Sequence, residues 1–597
     1  MKHINATRLV ALSVAAAAIT AGYKISNSSP STNQAAKNVD IKIIAFNDFH
    51  GNLEPPKLSI FAPARDGGAK VAVPAGGVAY MASAIKHLKG LNPNHAVVSA
   101  GDMIGASPLV SALFLDEPTI EVFNEIRIDF NAVGNHEFDK GKDELLRMKN
   151  GGCAKHTLRE PCQVNKAFPG ANFGFLAANT VKADGSTLFP ATGIKEFGSG
   201  AARVKVGFIG MTLQGTPGIV TPAGVQGLTF KDEAKTANAL IPQLKAQGAD
   251  IIVVVVHEGG MTTGGYNDKS CPDLTGDIIP ILKKLDPAVD VVVSGHTHRA
   301  YICDYGKTDP AKPFLLTSAG QYGTLVTDIN LTIDLNTRKL VSKSANNLIV
   351  QGEPFTGSSG TTVALSSLYP SFPKDQGVDQ IISQYATAAA PLAQRAVGNL
   401  TASITRRQIA SGESALGNLI ADAQLAATSA AERGGAQIAL MNPGGVRSDL
   451  NVPAGGGTVT YGQIFGVQPF SNSLVVKNLT GAKLRALLEQ QFHSGANTTS
   501  TPRILFPSAG FSYGYDLSQP AGSRITDMRL NGIPIADSSV YRVTMNSFLA
   551  TGGDSFTVFK QGSDDLGGVL DVDALEAYLR NNSPVAPPST NRIKRID

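Results

Sequence analysis

Five short runs of apolar, largely β-branched residues mark the first half of the chain. They are "KIIAF" (42–46), "HAVVSAGD" (95–102), "VKVGFIGM" (204–211), "ADIIVVVVHEG" (249–259) and "VDVVVSGHTH" (289–298). They hardly alternate with polar residues, so they suit strands buried on both faces, as in largely parallel sheets. Segments with helical spacing, such as 77–89 and 232–247, lie between them and give an α/β rhythm. "LVTDINLTIDLNTRKLV" (325–341) alternates instead, as antiparallel hairpin strands do, and is expected to close this domain.

The texture changes between 350 and 395, where "GEPFTGSSGTTV" reads as a loop and "GVDQIISQYATAAAPLAQRAV" as a helix with its proline near the end. Beyond it, helices over 415–430 and 481–492 and strands in "AQIALMN", "SLVVKNL" and "YRVTMNSF" predict a second α/β domain with its own core. The expected organisation is a first domain over 39–349, a connector over 350–395 and a second domain over 396–597. No tandem repeat is visible.

At 597 residues with 43% hydrophobic content, the chain can build more than one large core. Its first 22 residues, "MKHINATRLVALSVAAAAITAG", combine a basic start, a short apolar run and small residues, the pattern of a cleaved secretory signal. The alternative, a membrane anchor, would need about 20 apolar residues. Residues 23–38, rich in Ser, Asn, Thr and Ala, read as a flexible leader. Losing Lys2 and Arg8 with the signal takes the formal charge from +4 to +2, so no nucleic-acid surface is expected. The expectation is a periplasmic or secreted protein without stable membrane insertion, a monomer with a dimer as the alternative. In that setting Cys153, Cys162, Cys271 and Cys303 favour disulfides. Three pairings are open, and the local one, Cys153 with Cys162 and Cys271 with Cys303, is the simplest. Free thiols or a zinc site fit less well, because no Cys-x-x-Cys occurs.

The apolar runs also end in potential metal ligands. Asp48 and His50 follow the first, Asp102 the second, His257 ends "IIVVVVH", and His296 and His298 follow "VVVSG"; "FNAVGNHEFD" adds Asn135 and His136. The carboxyl ends of parallel strands are where α/β sheets place their sites. Carboxylate, imidazole and amide oxygen suit Zn, Mn, Fe or Co, and a shared carboxylate can hold two cations about 3.5–4 Å apart. Taken as extended backbone, Asp-x-His and His-x-His would put both side chains on one face, about 6–7 Å apart. A single histidine after a strand is usually just hydrogen-bonded; five such positions in order point to a metal centre.

The ordered series "FNDFHGNLEP", "SAGD", "GNHEFD", "HEGG" and "GHTH" resembles the calcineurin-like metallophosphoesterases. With the C-terminal half, the chain is similar to the exported 5'-nucleotidase family, which includes UDP-sugar hydrolases and NAD-degrading nucleotidases. The resemblance covers nearly all of the chain after the leader. It implies a four-layer α/β-β-α sandwich followed by a smaller α/β nucleotide-binding domain. It further implies that Asp48, His50 and His298 hold one divalent ion, that Asn135, His257 and His296 hold the other, and that Asp102 bridges them. Such a pair lowers a water's pKa from about 15.7 to near 7 and offsets charge on phosphoryl oxygens. His136 matches a histidine that, paired with the aspartate three residues on, here Asp139, stabilises the transferring phosphate or the leaving group. Asp139 could also cap a helix N-terminus.

In the second half, "MNPGGVRSD" sets Asn442 and Arg447 around a turn whose Gly444 allows close backbone approach, "VQPFSNS" supplies Phe470, and "NSFLATGGDSF" supplies Phe548 and Asp554. By residue type alone, two phenylalanines are more often core than ligand platform. The resemblance implies that they sandwich the base, that the Asn and Arg contact base, sugar or phosphate, and that the Asp contacts ribose hydroxyls. Relatives often carry a phosphate-binding arginine just before "GNLIADA"; here Gly412 lies near that place, and Arg406 and Arg407, farther upstream, are the arginines at hand. The leading expectation is a two-metal hydrolase that removes 5'-phosphate from nucleotides and cleaves the pyrophosphate bonds of UDP-sugars or NAD. A 2',3'-cyclic phosphodiesterase with 3'-nucleotidase activity is the alternative within enzymes, and a non-catalytic nucleotide-binding surface protein the alternative outside them. The complete ligand set speaks against the last.

Overall fold

In the computed structural model, successive residues of each central strand enter different cores, which is why the runs read as continuously apolar. Val253 and Val255 face one buried cluster, whereas Ile252, Val254 and Val256 face another. Ile43 and Ala45 of the first strand join the former; Ile44 and Phe46 enter a third. Fully burying one such side chain contributes about 1.5–3 kcal/mol. The structure describes residues 38–64, 69–157, 159–220, 222–357 and 361–597. The expected signal and leader therefore lie outside the described residues, apart from Asn38, which opens the first strand.

Among the described residues two six-stranded sheets form the middle layers of the first half. One runs Lys339–Ile349, Leu325–Asp334, Asn38–Phe46, His95–Ser99, Phe130–Ala132, Gly174–Leu176. The other runs Ala300–Asp304, Leu315–Ala319, Val291–Ser294, Ile251–His257, Val204–Thr212, Thr192–Phe197. From Asn38–Phe46 to Gly174–Leu176 the first sheet is parallel, as at Ile43↔Ala96, and so are the four inner strands of the second, as at Val253↔Val291. The segment expected as a hairpin forms one, and its first strand also pairs antiparallel with Asn38–Phe46. The helix Val78–Leu91 covers one outer face, and Glu233–Ala246 and Ile278–Lys284 cover the other. The result is the four-layer α/β-β-α sandwich.

The helix Gln376–Ala393 is capped by Asp375 and lies against the first half: Val378, Ile382, Tyr385 and Ala389 join its core, and Tyr385 Oη donates to Glu121 Oε1 at 2.9 Å. Farther on, a sheet ordered Phe506–Pro507, Ile438–Met441, Val540–Asn546, Ser473–Thr480, Ser563–Leu570 is the centre of a smaller α/β unit. The helices Ala415–Thr428 and Gly481–Glu489 flank it. Disulfides join Cys153 to Cys162 and Cys271 to Cys303, the local pairing. No helix among the described residues is long and apolar enough to cross a membrane.

Candidate active site

The ends of the inner strands bring the candidate ligands together at one rim of the sandwich. Asp48, His50 and His298 form one group and Asp102, His257 and His296 another, with the donor atoms of each within 4.8 Å of one another. Asp102 lies between the two: its Oδ2 is 3.0 Å from His257 Nε2 and 3.6 Å from His50 Nε2. Asn135 Oδ1 is 3.1 Å from His257 Nε2.

The backbone reaches this arrangement differently from the extended reading of Asp-x-His and His-x-His. Asp48, His50, His296 and His298 have φ of 50, 48, 68 and 59°, and Asp102 has 50°. All five are left-handed, a conformation that costs a non-glycine residue about 1–2 kcal/mol. A rim of tight turns, not a flat strand edge, therefore aims the side chains inward, and strain of this kind concentrates at functional sites. Hydrogen bonds hold the turns: His50 N–H donates to Asp102 O at 2.9 Å, and His296 N–H donates to Asp48 Oδ2 at 3.0 Å. Gly134 leaves room for the carboxylate, since a methyl there would stand 2.3 Å from Asp102 Oδ1.

Ring tautomers test whether the groups suit cations. His50 Nδ1 donates to Gly105 O at 2.9 Å and His257 Nδ1 to Ala100 O at 2.7 Å; with a carbonyl as partner, each Nδ1 carries the proton. The Nε2 lone pairs then face carboxylate oxygens, acceptor against acceptor, which requires a proton or a cation between them. Burial disfavours a charged His257, yet the Asp102 carboxylate outweighs it and pushes that pKa up to about 10. Nitrogen and oxygen donors arranged in this way fit divalent ions.

Glu137, which has no role legible in the sequence, braces the site. Its buried carboxylate accepts from the backbone N–H groups of Asp102 and Met103 at 2.9 Å and Gly134 at 2.7 Å. Burial and the nearby Asp102 push its pKa up to about 7. His136 Nδ1 lies 2.8 Å from Asp139 Oδ2, and Asp139 also accepts from Ala106 N–H at 3.1 Å. Burial opposes a charged His136, but Asp139 and then Asp102 raise its pKa overall. Asp139 is not a helix N-cap: it follows the short turn His136–Phe138, and Gly141 precedes the next helix.

A cavity of about 220 Å³ opens beside these groups and has walls from both halves of the chain. Asn135, His136, Asp139 and His296 line one side; Asn442, Gly444, Arg447, Phe470, Phe548 and Asp554 line the other. Phe470 and Phe548 are half-buried, and the Phe470 ring stacks on His136 at 5.7 Å between centroids. Arg447 stands over the same Phe470 ring at 5.8 Å, and its buried Nε has no hydrogen-bond partner among the described residues. Asn442 Nδ2 donates to Asp554 Oδ2 at 2.8 Å.

Arg406 and Arg407 do not line this cavity. Arg406 turns back to donate to Val446 O at 3.3 Å and borders a neighbouring groove that Arg447 also touches. The cavity's second arginine is Arg503, from the polar loop "TTSTPRILF", which carries no motif that would have drawn attention to it. Asn472 of "VQPFSNS" and Asn546 of "NSFLATGGDSF" also line the cavity.

Comparison with known proteins agrees with this geometry. The family model for calcineurin-like phosphoesterases matches residues 41–300, and that for the 5'-nucleotidase C-terminal domain matches residues 391–561. The chain is 30% identical over 578 residues to the cell wall protein Lmo0130 of Listeria monocytogenes, covering 91% of this chain and 68% of that one. It is also 30% identical over 599 residues to the endonuclease YhcR of Bacillus subtilis, but spans only 44% of that relative's length. The crystal structure of a 5'-nucleotidase precursor from Thermus thermophilus superposes with a TM-score of 0.71 at 26% identity, covering 94% of this chain and 100% of that one. The chain therefore belongs to the 5'-nucleotidase family of metal-dependent phosphoester hydrolases, with a calcineurin-like phosphoesterase domain followed by a 5'-nucleotidase C-terminal domain.

Proposed function

We propose that the protein hydrolyses the 5'-phosphate ester of nucleotides outside the cytoplasm and also cleaves the pyrophosphate bond of UDP-sugars or NAD. The observation that carries this reading is the shared cavity, which has His136, Asp139 and His296 on one wall and Phe470, Phe548 and Arg447 on the other. Residues 39–349 perform the chemistry, 396–597 bind the nucleoside, and 350–395 connect them. Asp48, His50 and His298 would hold one divalent ion, and Asn135, His257 and His296 the other, with Asp102 shared; Zn, Mn, Co and Fe all suit these donors. When bound, the ions supply a water of lowered pKa and positive charge for the phosphoryl oxygens.

The remaining steps belong to the chain's own side chains. His136, held by Asp139, donates to the oxygen that leaves phosphorus or to a phosphoryl oxygen carrying developing charge. Arg447, whose Nε has no partner among the described residues, donates to the phosphate. Phe470 and Phe548 stack on the base, worth about 1–3 kcal/mol per contact, and Asp554 accepts from ribose hydroxyls. Export suits this substrate class, and the signal-like start "MKHINATRLVALSVAAAAITAG" and the two disulfides support it.

Steady-state kinetics on AMP, UDP-glucose and NAD test the assignment. Phe470→Ala and Phe548→Ala should raise KM about tenfold on every nucleotide turned over, with kcat changed far less. Unchanged KM in both variants would return these rings to a purely structural role. Turnover of 3'-AMP with negligible turnover of 5'-AMP would overturn the ester assignment.

A further inference from the structure

Resting on the reading that the cavity takes a nucleotide base, we infer that Arg503 is a specificity-determining residue that favours 6-oxopurine nucleotides over adenine nucleotides. The cavity has an arginine at each end. Arg447 lies at the metal end, over the Phe470 ring that stacks on His136. Arg503 lies at the far end against Asp554, with Nη1 2.5 Å from Asp554 Oδ1. Its side chain is 32% exposed, whereas that of Asp554 is 4% exposed, so the carboxylate is buried beneath a more accessible arginine, and both residues line the cavity.

Arg503 is also held in place before any ligand arrives. Its backbone N–H donates to Gln491 O at 3.0 Å, and the N–H of Leu505 donates to Gln491 Oε1 at 2.7 Å, so one glutamine pins the chain on both sides. Ile504 between them is buried against Gly412, where a methyl would lie 2.4 Å from Ile504 Cγ1. The glycine admits this close approach, and the approach sets Arg503 at the cavity wall.

Hydrogen-bond accounting then indicates what this end can recognise. Asn546 Nδ2 donates to Asn442 Oδ1 at 2.9 Å, Asn442 Nδ2 donates to Asp554, and Asn546 Oδ1 accepts from Leu549 N–H at 2.9 Å. Asn472 Oδ1 accepts from Ser547 Oγ at 3.2 Å. Each asparagine of this wall is thus held by the protein through both its oxygen and its nitrogen, with at most one amide N–H to spare. The Arg503 guanidinium bonds only Asp554 among the described residues and keeps its other N–H groups as donors. A planar donor fork matches two adjacent acceptors, the O6/N7 edge of guanine or hypoxanthine. Adenine places an amino donor at position 6, where the fork offers only further donors.

The test compares IMP with AMP on the metal-loaded full-length protein, alongside the base-free ester bis-p-nitrophenyl phosphate. The wild type should favour IMP over AMP in kcat/KM. Arg503→Ala should lower kcat/KM on IMP about tenfold or more, mainly through KM, abolish the preference and leave the base-free ester within about twofold. Arg503→Lys, which keeps the charge but not the fork, should restore little of the preference. Equal IMP and AMP constants in the wild type, or an equal loss on both nucleotides in Arg503→Ala, would overturn the inference and leave Arg503 as a structural partner of Asp554. Absence of turnover on both monophosphates, with the base-free ester still cleaved, would instead overturn the 5'-nucleotidase reading.

Discussion

Asp102→Asn will cut phosphate release by at least about a hundredfold and lower divalent-metal content, the scale that even outer-shell changes at metal sites can reach. The carboxylate stands 3.0 Å from His257 Nε2 and 3.6 Å from His50 Nε2, so both candidate groups depend on it. The amide keeps the shape and can still accept from His136 N–H, as Asp102 Oδ1 does at 2.8 Å. It removes the negative charge that favours a cation beside His257. Metal analysis of the purified variant, with a thermal melt to establish folding, checks this. A folded variant with full metal content and undiminished turnover would remove Asp102 from the shared position.

His136→Ala should behave differently. His136 lines the cavity, and its Nδ1 is engaged by Asp139 at 2.8 Å, while its own ring belongs to neither metal group. The variant should retain metal, keep KM for AMP within a few-fold and lose about 10²–10⁴ in kcat, the range for positioned acid–base groups. Metal titration and single-turnover kinetics separate the two variants: Asp102→Asn fails at loading, His136→Ala at the chemical step. Loss of metal from His136→Ala would make it a ligand support instead.

Much of this centre was legible in the sequence because a physical rule couples fold and site. Strands buried on both faces must be apolar, so the residues that end the apolarity, such as Asp48, Asp102, His257 and His296, stand out against them. The turn geometry was not legible. Left-handed backbone at Asp48, His50 and His298 depends on hydrogen bonds from neighbouring loops, such as Asp48 N–H to Gly101 O at 3.0 Å, and no local pattern encodes a partner fifty residues away. Glu137 sat within the quoted "GNHEFD" without a role, because its task is to accept three backbone N–H groups that only the fold brings together. Arg406 and Arg407 attracted attention by closeness in sequence to the helix Ala415–Thr428. Arg503 reaches the cavity from a loop nearly a hundred residues beyond Arg406 and Arg407, through packing of Ile504 on Gly412 that has no sequence signature.

The central claim is that the two metal groups and the nucleotide cavity form one catalytic site. Phosphate release from AMP by protein stripped with chelator, then titrated with Mn²⁺ or Zn²⁺, tests it most directly. The account predicts no release from the stripped protein and recovery that saturates near two equivalents of metal. Undiminished release after verified metal removal, or AMP binding without any release in the metal-loaded protein, would contradict it.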